Sequence, residues 1–155
     1  MQIINTQDIN EARKQIQKLK KAETKEEIAI LSQNDEFNRK ALELKGIDVL
    51  IINEQYPWKD YMKQRASGLN EVLARICAEK GIKIGIQIEE IIKKSDIEKA
   101  KSLSRLSQNI MLCKKAGARL IFISDGLRDK RALHALLISL GASTKQAREA
   151  AKESF

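Results

Sequence analysis

Five short apolar runs recur along the chain, and each is separated from the next by a segment with helical periodicity. The runs are residues 2–5 (QIIN), 26–33 (EEIAILSQ), 46–54 (GIDVLIINE), 82–90 (IKIGIQIEE) and 118–126 (ARLIFISDG). In most of them the apolar stretch does not alternate with polar residues, which suits strands covered on both faces. Between them lie stripes at three- and four-residue spacing, such as Ala12, Ile16 and Leu19, or Phe37, Ala41 and Leu44. A βαβα order of this kind predicts a parallel sheet with helical crossovers. Two architectures remain open: a doubly wound sheet and a (β/α) barrel. A complete eight-unit barrel takes about 250 residues, whereas this chain has 155. The expectation is one (β/α) domain over residues 1–155.

Helix limits follow from local chemistry. Asp8 with Glu11 three residues on has capping-box spacing, and Gly46 stops the helix that begins near Asp35. Ser67 reads as the cap of a helix with Leu69, Val72, Leu73, Ile76 and Cys77 inward and Gly81 at its end. A long helix spans about Asp96 to Ala116 with Ile97, Ala100, Leu103, Ile110 and Cys113 inward. The last two helices cover 130–140, ended by Gly141, and a segment capped by Ser143 with Gln146 three later.

Several chemistries lack their parts. There is no Gly-Lys-Ser/Thr phosphate loop after a strand and no G-x-G-x-x-G. One histidine, His134, and two cysteines, Cys77 and Cys113, do not supply a zinc site; both cysteines read as buried thiols. The N-terminus does not read as a signal peptide, and no run approaches the ~18 apolar residues of a membrane span. A cytoplasmic protein without a membrane partner is expected. A nucleophilic site could be drawn from Ser124, Asp125 or Asp129, and His134, at the carboxyl end of a strand. Ser124 lacks a Gly-x-Ser-x-Gly setting, and Asp129 also suits a helix cap.

Charge is the informative class. The net charge is +8. Residues 1–50 hold nine basic and nine acidic side chains, so the excess lies entirely in residues 51–155. Lys94, Lys101, Arg105, Gln108 and Lys115 share a helical face, and Glu98 is the only acid between Ile97 and Gly117. Arg128, Lys130 and Arg131 open another helix, while Lys63 and Arg65 precede Ser67. Cations at a helix start cost a few tenths of a kcal/mol, and a docked phosphate reverses that sign. Tyr56, Trp58 and Tyr61, beside Lys59, Lys63 and Arg65, can stack on unpaired bases, or more simply plug one end of the sheet. The pattern points to a polyanion, with nucleic acid the class it fits.

Three blocks carry a further signal: RASGLNEVLARICAEKGIKIGI, KAKSLSRLSQNIMLCKKAGARLIFIS and LISLGASTKQAREA. In order and spacing they resemble the archaeal ribonuclease P protein component 3 family, most clearly from Gly46 to Arg148. The resemblance implies a TIM-barrel-like fold, akin to polymerase-and-histidinol-phosphatase hydrolases without their metal ligands. It also implies an accessory subunit of a ribonucleoprotein that removes the 5′ leader from precursor tRNA. The RNA performs the hydrolysis and holds the Mg²⁺, so no cofactor is expected on the protein. Expected partners are the ribonuclease P RNA, protein component 2, other ribonuclease P proteins and, indirectly, precursor tRNA. Arg65, Ser67, Gly68 and Leu69 match the family's Arg-x-Ser-Gly-Leu block. Lys99, Arg105 and Asn109 match polar positions of its long helix, and Ser124 matches the serine ending the next strand. Ser107 departs from a frequently basic position. Typical members carry about two more βα units upstream, so an incomplete barrel of about five strands is expected. The RNA-binding candidates are Lys59, Lys63, Arg65, Lys99, Lys101, Arg105, Arg128, Lys130 and Arg131. Two rivals stand beside this reading: a small (β/α) hydrolase around Ser124, Asp125 and Arg128, and a scaffold that binds only protein.

Overall fold

The computed structural model describes residues 1–22, 25–57, 59–60, 62, 65–124 and 129–152. Five strands form one sheet: β1 (Gln2–Ile4), β2 (Ile28–Leu31), β3 (Val49–Ile52), β4 (Lys83–Gln87) and β5 (Leu120–Ile123). All pairings are parallel, and the spatial order β1-β2-β3-β4-β5 is the chain order. A doubly wound sheet reverses direction at a switch point; a barrel-type sheet steps always to its neighbour. The order therefore selects the TIM-barrel-like alternative. Among the described residues β1 pairs only with β2 and β5 only with β4, so the sheet is an open arc.

The helices are α1 (Ile9–Lys21), α2 (Asp35–Glu43), α3 (Glu71–Lys80), α4 (Ile88–Ile92), α5 (Asp96–Ala116), α6 (Lys130–Ser139) and α7 (Thr144–Lys152). One sheet face meets them. Ile4, Ile30, Leu50, Ile84 and Phe122 pack there with Ile16, Phe37, Leu73, Ile110 and Cys113 in a single buried cluster. The alternate strand residues, Ala29, Val49, Ile51, Ile121 and Ile123, form a second cluster on the other face with Met1 and Leu31. Gly85 lies among them. A Cβ built there would stand 3.0 Å from Ile123 Cγ1, 3.1 Å from Ile51 Cγ1 and 3.2 Å from Val49 Cγ1. Its missing side chain lets neighbouring strands interlock.

Four expectations need correction. The fourth apolar run is not extended to its end: residues 88–92 turn into α4, with Ile88 and Ile91 buried and Ile92 45% exposed. Apolar runs of this length fit either period. Second, Asn70, not Ser67, caps α3 and accepts from the Leu73 amide at 2.9 Å. Third, α5 is rotated relative to the expected stripe. Leu106, Ile110 and Cys113 face inward and Leu103 packs beside them, but Ile97 is 72% exposed and Ala100 is exposed. Ile97 lies roughly half a turn from that inward face. Val72 on α3 is likewise outward. Fourth, the Asp8–Glu11 pair is not a reciprocal box. Asp8 accepts from Asn10, its own amide donates to Thr6 Oγ1, and the Thr6 hydroxyl donates to Glu11 at 2.6 Å.

Gly46 is not the immediate stop of α2, which ends at Glu43 with Leu44 already extended; further local readings agree with the structure. Gly81 closes α3 in the left-handed conformation at φ 69°, where an L side chain is disfavoured, and Gly117, not singled out in the sequence, closes α5 in the same way at φ 78°. Asp129 caps α6 through the Arg131 amide. Ser143 accepts from the Gln146 amide at the start of α7. Cys77 and Cys113 are free and buried; desolvation pushes the Cys77 thiol up to about 12, and raises that of Cys113 further with Cys77 beside it.

Candidate nucleic-acid interface

The carboxyl ends of β2 and β3 open into a cleft of about 720 Å³. Asn34 and Asn70, the caps of α2 and α3, stand on its wall with Tyr56, Pro57, Ser67 and Leu69. Lys59 and Arg65 line the same cleft and are exposed. Two helix starts turned to one cleft, with two cations, favour an anion there. Asp35 and Glu36 also line it, so the field is mixed. Glu36 is held below the usual carboxylate range by its hydrogen bond from Lys40.

The segment Ser67-Gly68-Leu69 is buried beside the cleft, and two buried amides hold it. Asn109 of α5, 2% exposed, accepts from the Ser67 hydroxyl at 2.6 Å and donates to the Ser67 carbonyl at 3.1 Å. Asn38 of α2 donates to the Gly68 carbonyl at 3.2 Å and to that of Gln33 at 2.9 Å, and accepts from the Gln33 amide. Ser67, Gly68, Leu69 and Asn109 are therefore one buried unit. Asn38 was not read from the sequence; a lone Asn in a helical stripe carries no signal of its distant partner.

The basic face of α5 meets acids that the sequence places far away. Lys94, just before the helix, donates to the Glu54 carboxylate, the Glu54 carbonyl and Ser102 Oγ, all within 2.8 Å. Arg105 holds Asp60 through Nε and Nη2 at 3.2–3.3 Å. Lys115 pairs with Glu71 of α3 at 3.0 Å and lowers that carboxyl. Lys101 pairs with Glu98 within α5, and both are exposed. Within α5 Glu98 offers one such local partner, and the other cations of this face meet acids of α3 and of the segment before it.

The remaining candidates fall elsewhere. Lys99 lines an apolar groove of about 310 Å³ with Ile88, Ile91, Leu103, Asp129 and Leu133. Lys130 and Arg131 are exposed in the first turn of α6 at the same groove's Asp129 end. Lys63, Arg128 and Asp125, like Trp58 and Tyr61, lie outside the described residues. Ser124 donates its hydroxyl to Glu89 of α4 at 2.7 Å, and His134 sits within α6. Among the described residues no three His, Cys, Asp or Glu side chains are grouped as a metal site needs, and no helix is long and apolar enough to cross a membrane.

Comparison with known proteins places this geometry. A protein of Methanosarcina acetivorans named ribonuclease P protein component 3 is 34% identical over 94 residues, 61% of this chain and 36% of the relative. One of the same name from Methanococcus vannielii is 30% identical over 112 residues, 72% of this chain and 45% of the relative. The chain therefore spans between a third and a half of the length of these relatives. A chain in the cryo-EM structure of archaeal ribonuclease P with mature tRNA superposes with a TM-score of 0.77 at 22% identity, over 97% of this chain and 63% of that one. At that identity the likeness is one of fold. The sequence pattern of the RNase P subunit p30 family matches residues 3–155, reaching well upstream of Gly46, and the chain belongs to that family.

Proposed function

We propose that this chain acts as a protein subunit of ribonuclease P, binding its RNA and supporting 5′-leader removal without itself catalysing hydrolysis. The observation that carries the reading is the family match from residue 3 to residue 155. Surface chemistry supports it: the net charge is +8, and Lys59 and Arg65 stand exposed over one cleft. Lys99, Lys101, Lys130 and Arg131 offer further cations along α5 and α6. Lys63 and Arg128 belong to the same proposal by sequence alone. In this reading the RNA holds the Mg²⁺ that hydrolysis needs, and precursor tRNA is reached through the RNA. Protein component 2 and other ribonuclease P proteins are the protein partners, and the site of action is the cytoplasm.

The test is binding of an in-vitro transcript of an archaeal ribonuclease P RNA across a salt series. Affinity falls as salt rises, because displaced counterions drive binding, and K59A/R65A lowers the log–log slope by about 1.5. A flat series leaves only a protein-binding scaffold. Phosphoester hydrolysis by the protein alone revives the hydrolase reading, with Ser124 and Glu89 as its first residues to test.

A further inference from the structure

Three α5 side chains fasten the segment before α3 to the helix. Arg105 grips the Asp60 carboxylate, which also accepts from the Ala66 amide at 3.0 Å. Gln108 clamps Arg65 by its backbone, accepting from the amide at 3.3 Å and donating to the carbonyl at 2.8 Å. Asn109 holds Ser67. The spacing of three and one puts all three on adjoining faces of the helix, so they grip residues 60, 65 and 67 in turn. The Arg105 side chain is 14% exposed and that of Asp60 35%. To meet a phosphate, Arg105 would have to surrender a carboxylate already held by two nitrogens. That exchanges one anion for another and loses the Asp60 anchor. Lys59 and Arg65 face no such exchange: no carboxylate among the described residues pairs with either, and both are exposed.

We infer that Arg105 is a positioning residue. Its pair with Asp60 fixes the segment that carries Lys59 and Arg65 over the cleft, and RNA phosphates meet those two side chains while Arg105 stays with Asp60. This rests on the RNA-binding reading above, and it reassigns Arg105 from the contacts expected of it.

A charge swap tests it. The chain is prepared as wild type, R105E, D60R and D60R/R105E. Two readouts are taken: affinity for the ribonuclease P RNA transcript, and hydrogen exchange of the Arg65 amide, which donates to Gln108. Each single variant brings like charges together; affinity drops about tenfold and the amide exchanges faster. The double variant recovers both to within about threefold. D60R is the sharpest arm, because it adds positive charge yet weakens binding. Tighter or unchanged binding by D60R, or a double variant as weak as R105E, overturns the positioning role while leaving RNA binding intact. A wild-type chain that leaves the transcript unbound overturns the RNA reading, and the role given to Arg105 with it.

Discussion

Asn109 shows how much one buried amide can hold. It satisfies the hydroxyl and the carbonyl of Ser67 where both residues are buried, each 2% exposed. Asn109→Ala leaves that carbonyl without its donor and the amide's volume empty. The expected loss is about 2 kcal/mol, read from denaturant unfolding. In a domain of this size that corresponds to a fall in Tm of about 4–8 °C. The resemblance singled out Asn109, but its task in the fold was not legible. Ser67 precedes an apolar stripe and has the residue type of a cap, so local chemistry assigns it to α3. In the fold Gly68 and Leu69 are drawn inward with it, and the helix starts one turn later at Asn70. A hydroxyl cannot declare from sequence whether its partner lies three residues ahead or forty-two.

Asn70 gives the matching expectation for an element. Asn70→Ala removes the acceptor of the Leu73 amide and should cost about 1 kcal/mol. Ser67→Ala should instead be felt at the cleft, lowering protection of the amides around Gly68 without unwinding the first turn of α3; native-state hydrogen exchange separates the two. All five strands were legible because each carries two isoleucines in a short run set between helical stretches. α4 was not, because five residues of Ile and Glu suit either period. The phase of α5 was misread because its inward line includes Ser102 and Asn109, both buried and polar, while Ile97 is apolar and outside. Hydrophobicity alone therefore points to the wrong stripe. The ion pairs of α5 were hidden for a related reason: Glu54, Asp60 and Glu71 are neighbours only once the third crossover has formed.

At the scale of the whole molecule, exposed carboxylates contribute a pH response. Glu36, Glu71 and Glu98 titrate below the ordinary 4.5, each chiefly through a hydrogen bond from a lysine: Lys40, Lys115 and Lys101. Their pKa values are lower folded than unfolded. Their contribution is therefore complete above 4.5 and disappears as pH falls through the folded values. Tm should stay level from pH 7 to about 5 and decline below that, with a shallower decline in high salt, since exposed pairs are screened. Circular dichroism melts at several pH values check this. The choice between a doubly wound and a barrel-type sheet also belongs to this scale. It depends on which strand each crossover returns to, and no local pattern encodes that. The apolar runs supply five strands; the order in space comes from helices packing on one face throughout.

Gly85 carries an evolutionary corollary. The hollow it leaves is filled from both sides, by Val49 and Ile51 of β3 and Ile123 of β5, so four positions in three strands share one volume. Such positions drift only in concert. Gly85→Ala alone should overcrowd the site by about 1–3 kcal/mol in chemical denaturation, and paring Ile51 back to Ala in the same chain should return part of that loss. Across descendants of this fold, a larger residue at position 85 is then a mark of a smaller one at 51 or 123, a covariation written by the sheet rather than by any ligand.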